Sequence, residues 1–188
     1  MVGAVGLAVL VAGCKPVSCH GTAYEAPETA STGVLRNAAV GQFNLAEQRG
    51  SVVLLFFGYT HCPDVCPTTL SDWKRVKAGL GRDASRVRFV FVSVDPARDD
   101  PATLHAYVAR FDPDFIGATA DSATIAGIEK SFHVESSREE TGSASGYVVT
   151  HPSQTFVVDR NGELRLLYSF GMKTSDVVDD IRALLRGA

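Results

Sequence analysis

"VVLLFFGYTHCPDVCPTTL", residues 52–70, passes from one kind of structure to another within a few positions. Val52 to Tyr59 is a continuous apolar run rich in β-branched and aromatic residues, the signature of a strand covered on both faces. A helix is predicted to follow over roughly 66–80, with Leu70, Trp73, Val76, Lys77 and Leu80 on its inner side. Proline lacks an amide hydrogen, so the favoured start puts Pro67 at the first helical position and Cys66 at the cap. Cys62 then sits in the preceding turn. A four-residue step lets both sulfurs face one spot, and the positive end of the helix favours thiolate over thiol there.

Outward from this junction the chain alternates. "RVRFVFVSVD" (residues 86–95) reads as a second buried strand. "RDDPATLHAYVARF" (98–111) carries a helix start, with Asp100 as cap and Pro101 at the first position. "DSATIAGIEKSF" (121–132) is a third helix capped by Asp121 or Ser122, and "SSREETGSAS" (136–145) is a polar loop. "TFVVDRNGELRLLYSF" (155–170) reads as a hairpin turning at Asn161-Gly162, and "TSDVVDDIRALLR" (174–186) as a closing amphipathic helix. The order is β-α-β-α-α-β-β-α. That is the element order of the thioredoxin fold with an inserted helix: a central mixed sheet flanked by helices, preceded here by an N-terminal extension.

The 188 residues, 45% hydrophobic and 21% charged, suit one compact domain with a short tail. A net charge of −3 offers no basic footprint, which argues against nucleic acid as a partner. "MVGAVGLAVLVAGC" (1–14) is apolar and uncharged, shorter than the ~20 residues a membrane span needs. It reads as an export signal over 1–13. "LVAGC" (Leu10 to Cys14) resembles the bacterial lipobox, which implies lipidation at Cys14 and an anchor on the outer, periplasmic face of the cytoplasmic membrane. Residues 14–32, with scattered Pro and Gly and no apolar period, are expected to be a tether, and 33–188 the folded domain.

Four cysteines and five histidines carry the candidate chemistry. Cys62 and Cys66 are either a redox pair, a metal grip, or a structural disulfide; their spacing alone does not decide. Cys19 and His20 are left over in the tail. His105 falls on a helix whose apolar face is Leu104, Val108 and Phe111, and His133 lies at a helix end. His61 adjoins Cys62, and adjacent residues usually point different ways. His151, pinned by Pro152, enters the C-terminal hairpin; in a thioredoxin fold that loop faces the start of the cysteine-bearing helix. Asp64 is the acid beside that helix start. Asp95, Arg98 and Asp99 lie at the carboxyl end of the second strand, the edge where α/β sheets form sites. Phe56, Phe57, Tyr59 and Trp73 read as core that keeps water from the site.

"FFGYTHCPDVCPTTL", "VFVSVDPARDDP" and "THPSQTFVVDRNGEL", in this order and spacing, resemble the Sco/SenC family of copper chaperones from about Val34 to the C-terminus. The resemblance implies a thioredoxin fold and one copper ion held by Cys62, Cys66 and His151. It implies delivery of that copper, taken from a periplasmic donor, to the copper-bearing subunit of cytochrome c oxidase. Thiolate ligands suit Cu(I), imidazole suits Cu(I) and Cu(II) alike, and three ligands leave room for exchange. Zinc is the counter-reading of a Cys2His set. Two other functions compete: a thiol-disulfide oxidoreductase or peroxidase-like enzyme working through Cys62 and Cys66, and a copper or redox sensor.

Overall fold

The computed structural model describes residues 19–31, 33–142 and 146–187; the expected export signal and Cys14 lie outside them. Strand β1 is Thr22–Thr29, β2 Val34–Asn37, β3 Gly41–Asn44, β4 Val52–Gly58 and β5 Val87–Ser93. Three short strands follow: β6 (Ile116–Ala118), β7 (Ser137–Glu140) and β8 (Tyr147–Thr150). The C-terminal pair is β9 (Thr155–Val158) and β10 (Glu163–Tyr168). Helices α1 (Val65–Leu80), α2 (Pro101–Ala109), α3 (Ser122–Ser131) and α4 (Thr174–Arg186) complete the chain. The main sheet runs β1-β10-β9-β4-β5-β6, with β4, β5 and β6 parallel and the β9–β10 side antiparallel. This is the thioredoxin-like mixed sheet expected from the sequence.

Every residue of β4 is buried, and its side chains alternate between two cores. Leu54 and Phe56 pack toward α1, α2 and α4 with Leu70, Trp73 and Ile181. Leu55 and Phe57 pack with Phe132 at the end of α3 and with Leu35 and Phe43 of the β2–β3 hairpin. Burying each such side chain contributes about 1.5–3 kcal/mol, so the strand is the mechanical centre of the domain.

Several expectations need correction. Helix α1 begins at Val65 with Asp64 at the cap, not at Pro67 with Cys66 at the cap. The first-turn amides of a helix have no internal acceptor, so Pro67 fits in that turn at no loss, and Thr68 N–H makes the bond to the Asp64 carbonyl at 3.2 Å. Lys77 is not core; it bridges Asp112 at 2.5 Å and Asp114 at 2.7 Å beyond α2. Residues 22–29, assigned to the tether, form the edge strand β1 against β10, with an irregularity between Ala23 and Glu28. Backbone bonds hold it, so it leaves no apolar period to read. The expected polar loop over 136–145 contains β7, paired with β8 as a ribbon separate from the main sheet. All four residues of β7 are exposed, which hides a strand from any hydrophobic pattern.

The caps at Asp100 and Asp121 stand as expected, each side chain accepting an N–H three residues on. At the β9–β10 turn, Gly162 takes φ +85° and the Asp159 carboxylate accepts the Asn161 and Glu163 amides.

Candidate metal centre

Strand β4 delivers the chain to the carboxyl edge of the parallel strands, where Gly58 ends it. The next residues turn back into α1. Thr60 fixes that turn: its N–H (2.9 Å) and its hydroxyl (2.5 Å) both donate to the Asp99 carboxylate. Asp99 is fully buried and also accepts from the Ser93 hydroxyl at 2.6 Å. Cys62 follows the anchored turn, half-buried, and Cys66 lies one helical turn on, fully buried. The Cys66 amide donates to Cys62 Sγ at 3.4 Å.

The third group arrives from the other direction. Because β9 runs antiparallel to β4, with Thr155 opposite Phe56, the segment before β9 lies at the same edge as the end of β4. His151 stands there, its ring edge-on to those of Phe56 and Tyr59, each with centroids 5.6 Å away. His151 Nε2 lies 3.6 Å from Cys66 Sγ, and Nδ1 is 2.9 Å from the Pro152 carbonyl oxygen. A carbonyl only accepts, so Nδ1 donates to it and Nε2 is the nitrogen that faces the sulfurs. No peptide bond among the described residues is cis, Pro152 included. The ligand atoms of Cys62, Cys66 and His151 all fall within 4.8 Å of one another, close enough for one metal ion.

Electrostatics divides the cysteines. A hydrogen bond from Cys66 is the largest influence on Cys62; with the His151 contact and the Cys66 and Asp64 amides it outweighs partial burial and takes Cys62 from 9.0 to about 3. Burial drives the Cys66 thiol the other way, and the neighbouring Cys62 anion adds to the rise. One half-buried thiolate thus stands before one fully buried thiol. Both are free, as is Cys19.

The other candidates lie elsewhere. His105 is exposed on α2, and His133 pairs with Glu28 of β1 at 2.7 Å. His61 turns to the Thr60 hydroxyl at 3.1 Å, and the Asp64 side chain makes no cap bond. His20 is held by Asp180 of α4 at 2.9 Å, and neither it nor Cys19 joins the cluster. Gly58 was missed by sequence reasoning: a Cβ there would stand 2.7 Å from Cys66 Sγ and 2.8 Å from Phe56 and Phe91 ring atoms. Its only sequence signal is a glycine ending an otherwise bulky strand.

Comparison with known proteins gives a consistent picture. The SCO1/SenC family model matches residues 25–186. An SCO2-like protein of Rickettsia felis is 35% identical over 122 residues, covering 64% of this chain and 60% of its own. The mitochondrial SCO2 homologue of Mus musculus is 33% identical over 165 residues, covering 80% of this chain and 65% of its own. The chain therefore spans under two thirds of these relatives' length. The solution structure of apo Sco1 from Thermus thermophilus superposes with a TM-score of 0.79 at 37% identity, covering 89% of this chain and 97% of the other. ScoI of Bradyrhizobium japonicum, solved with copper bound, gives 0.74 at 31% identity, covering 87% and 98%.

Proposed function

Since this chain belongs to the SCO1/SenC family, we propose that it carries one copper ion on Cys62, Cys66 and His151 and delivers it for assembly of the copper centre of cytochrome c oxidase. The observation that carries this reading is the convergence of two sulfurs and an imidazole nitrogen within 4.8 Å, across a long sequence gap. Two thiolates and a neutral imidazole suit soft Cu(I). At neutral pH Cys62 is already ionised, so copper displaces a proton only from Cys66. The half-exposed side of Cys62 leaves an approach for an incoming ligand, through which copper passes to a receiving subunit by exchange. A lipid anchor at Cys14 and a place on the periplasmic face of the membrane complete the proposal.

The test is a Cu(I) titration against a competing chelator, followed by transfer to the soluble copper-bearing domain of the oxidase subunit. One copper per chain is expected, weakened at least about tenfold in His151→Ala and passed on to the acceptor domain. Unchanged affinity in that variant refutes the ligand set; a loaded protein that transfers nothing refutes delivery.

One observation favours a second reading, reduction of a partner disulfide. An ionised, accessible Cys62 before a protonated, buried Cys66 is the arrangement of an attacking and a resolving thiol. Cys62 thiolate attacks one partner sulfur and releases the other as thiolate. Cys66 then gives up its proton and attacks the Cys62 sulfur, leaving a Cys62–Cys66 disulfide and a reduced partner. Turnover of an insulin disulfide at enzyme-like rates, unaffected by loss of copper, identifies this activity.

A further inference from the structure

His151 is the first residue after β8, and β8 belongs to the two-stranded ribbon outside the main sheet. The histidine arm is therefore not hydrogen-bonded into the main sheet: Val149 packs into the core, and a polar clasp fastens the start of β8. Tyr147, at the start of β8, is the centre of that clasp. Its hydroxyl donates to Asp95 Oδ1 at 2.8 Å, and Asp95 is 4% exposed. Arg98 and Arg138 each place a guanidinium carbon 3.6 Å from the Tyr147 ring centroid, which puts them on opposite faces. Arg98 also donates through Nη1 to the Tyr147 carbonyl at 3.1 Å and pairs through Nε with Asp95.

The footing of this clasp is shared. Asp95 and Asp99 belong to one tight turn, in which the Asp95 carbonyl accepts the Arg98 and Asp99 amides at 3.1 and 3.0 Å. From that turn Asp99 grips Thr60, two residues before Cys62, while Asp95 and Arg98 grip Tyr147, four residues before His151. The imidazole and the sulfurs are thus positioned from a common base.

We propose that Tyr147, clasped by Asp95, Arg98 and Arg138, is a positioning residue that sets where His151 stands relative to Cys62 and Cys66. This rests on the ligand set proposed above. Side chains that orient a ligand without touching the metal typically change affinity by 10–100-fold when lost.

A double-mutant cycle in Cu(I) affinity tests it, with the melting temperature of the copper-free variants measured alongside. Tyr147→Ala is expected to weaken copper about tenfold in the wild-type background and less than about twofold when His151 is already Ala. Tyr147→Phe keeps the stacked ring and loses only the bond to Asp95; a loss of about threefold, again absent without His151, is expected, and it carries the test should the Ala variant fail to fold. Equal losses in both backgrounds, or none in the wild type, overturn the clasp while leaving the ligand set intact. Full copper affinity in His151→Ala overturns the ligand set, and the clasp with it.

Discussion

The bare backbone of Gly58 leaves room for the Cys66 sulfur. A Cβ at residue 58 would stand 2.7 Å from that sulfur and 2.8 Å from ring atoms of Phe56 and Phe91, so an added methyl has no space beside it. Gly58→Ala is expected to destabilise the copper-free protein by about 2 kcal/mol and to weaken Cu(I) binding in the same titration. A variant with unchanged affinity would show that the sulfur's seat is not set here. The two thiols should also differ in reactivity. From about pH 8 to about pH 5, alkylation of an ordinary thiol slows by about a thousandfold, as its thiolate vanishes. Cys62, held down to about 3, should keep nearly its full rate over that range, while Cys66 stays unlabelled. Peptide mapping after a short iodoacetamide pulse reads this directly, and labelling at Cys66 or a steep fall at Cys62 contradicts it. The linkage follows in sign: a folded value below the unfolded one stabilises fully above about 9, and that stability is lost as pH falls toward about 3.

At the scale of elements, α4 does more than cover the sheet. Its buried Asp180 accepts the backbone amides of His20 and Gly21 and the His20 ring, tying down the entry to β1. The hydrogen bond to Asp180 raises the His20 pKa above 6.5, so this contribution is complete below 6.5 and fades as pH climbs through the raised value. The melting-temperature gap between wild type and His20→Gln should therefore be wider near pH 5.5 than near pH 8.5; a gap independent of pH would contradict the ion pair. The elements that sequence reading located are those with a buried face or a side-chain cap: β4, β5, the three later helices and the β9–β10 hairpin. The strands it did not place lie at the two edges of the main sheet, β1 and β6, or in two-stranded ribbons outside it, β2, β3 and β7, where no long apolar run marks them. Helix α1 was placed almost correctly, and the error arose from a proline whose missing hydrogen the first turn does not need.

Across the whole molecule, the site is assembled from three stretches that meet at one sheet edge: the turn after β4, the turn after β5, and the arm before β9. Cys62 and Cys66 were legible as a pair from spacing. His151 was legible through the fold and through the resemblance carried by "THPSQTFVVDRNGEL", since spacing does not tie it to the cysteines. Tyr147 was not legible at all, because a tyrosine between two arginines far apart in sequence leaves no local signal. Copper that bridges the sulfurs and His151 should tighten this whole edge. Amide exchange over Val148–Thr150 and around Thr60 is expected to slow on Cu(I) addition, with little change at β1. Slowing confined to the cysteine loop would place the arm outside the metal centre.

The most direct test of the central claim is X-ray absorption at the copper edge of the Cu(I)-loaded protein and of its His151→Ala variant. The account predicts two sulfurs and one histidine nitrogen per copper in the wild type, with the nitrogen lost in the variant. A shell of sulfur alone, identical in both proteins, would contradict it.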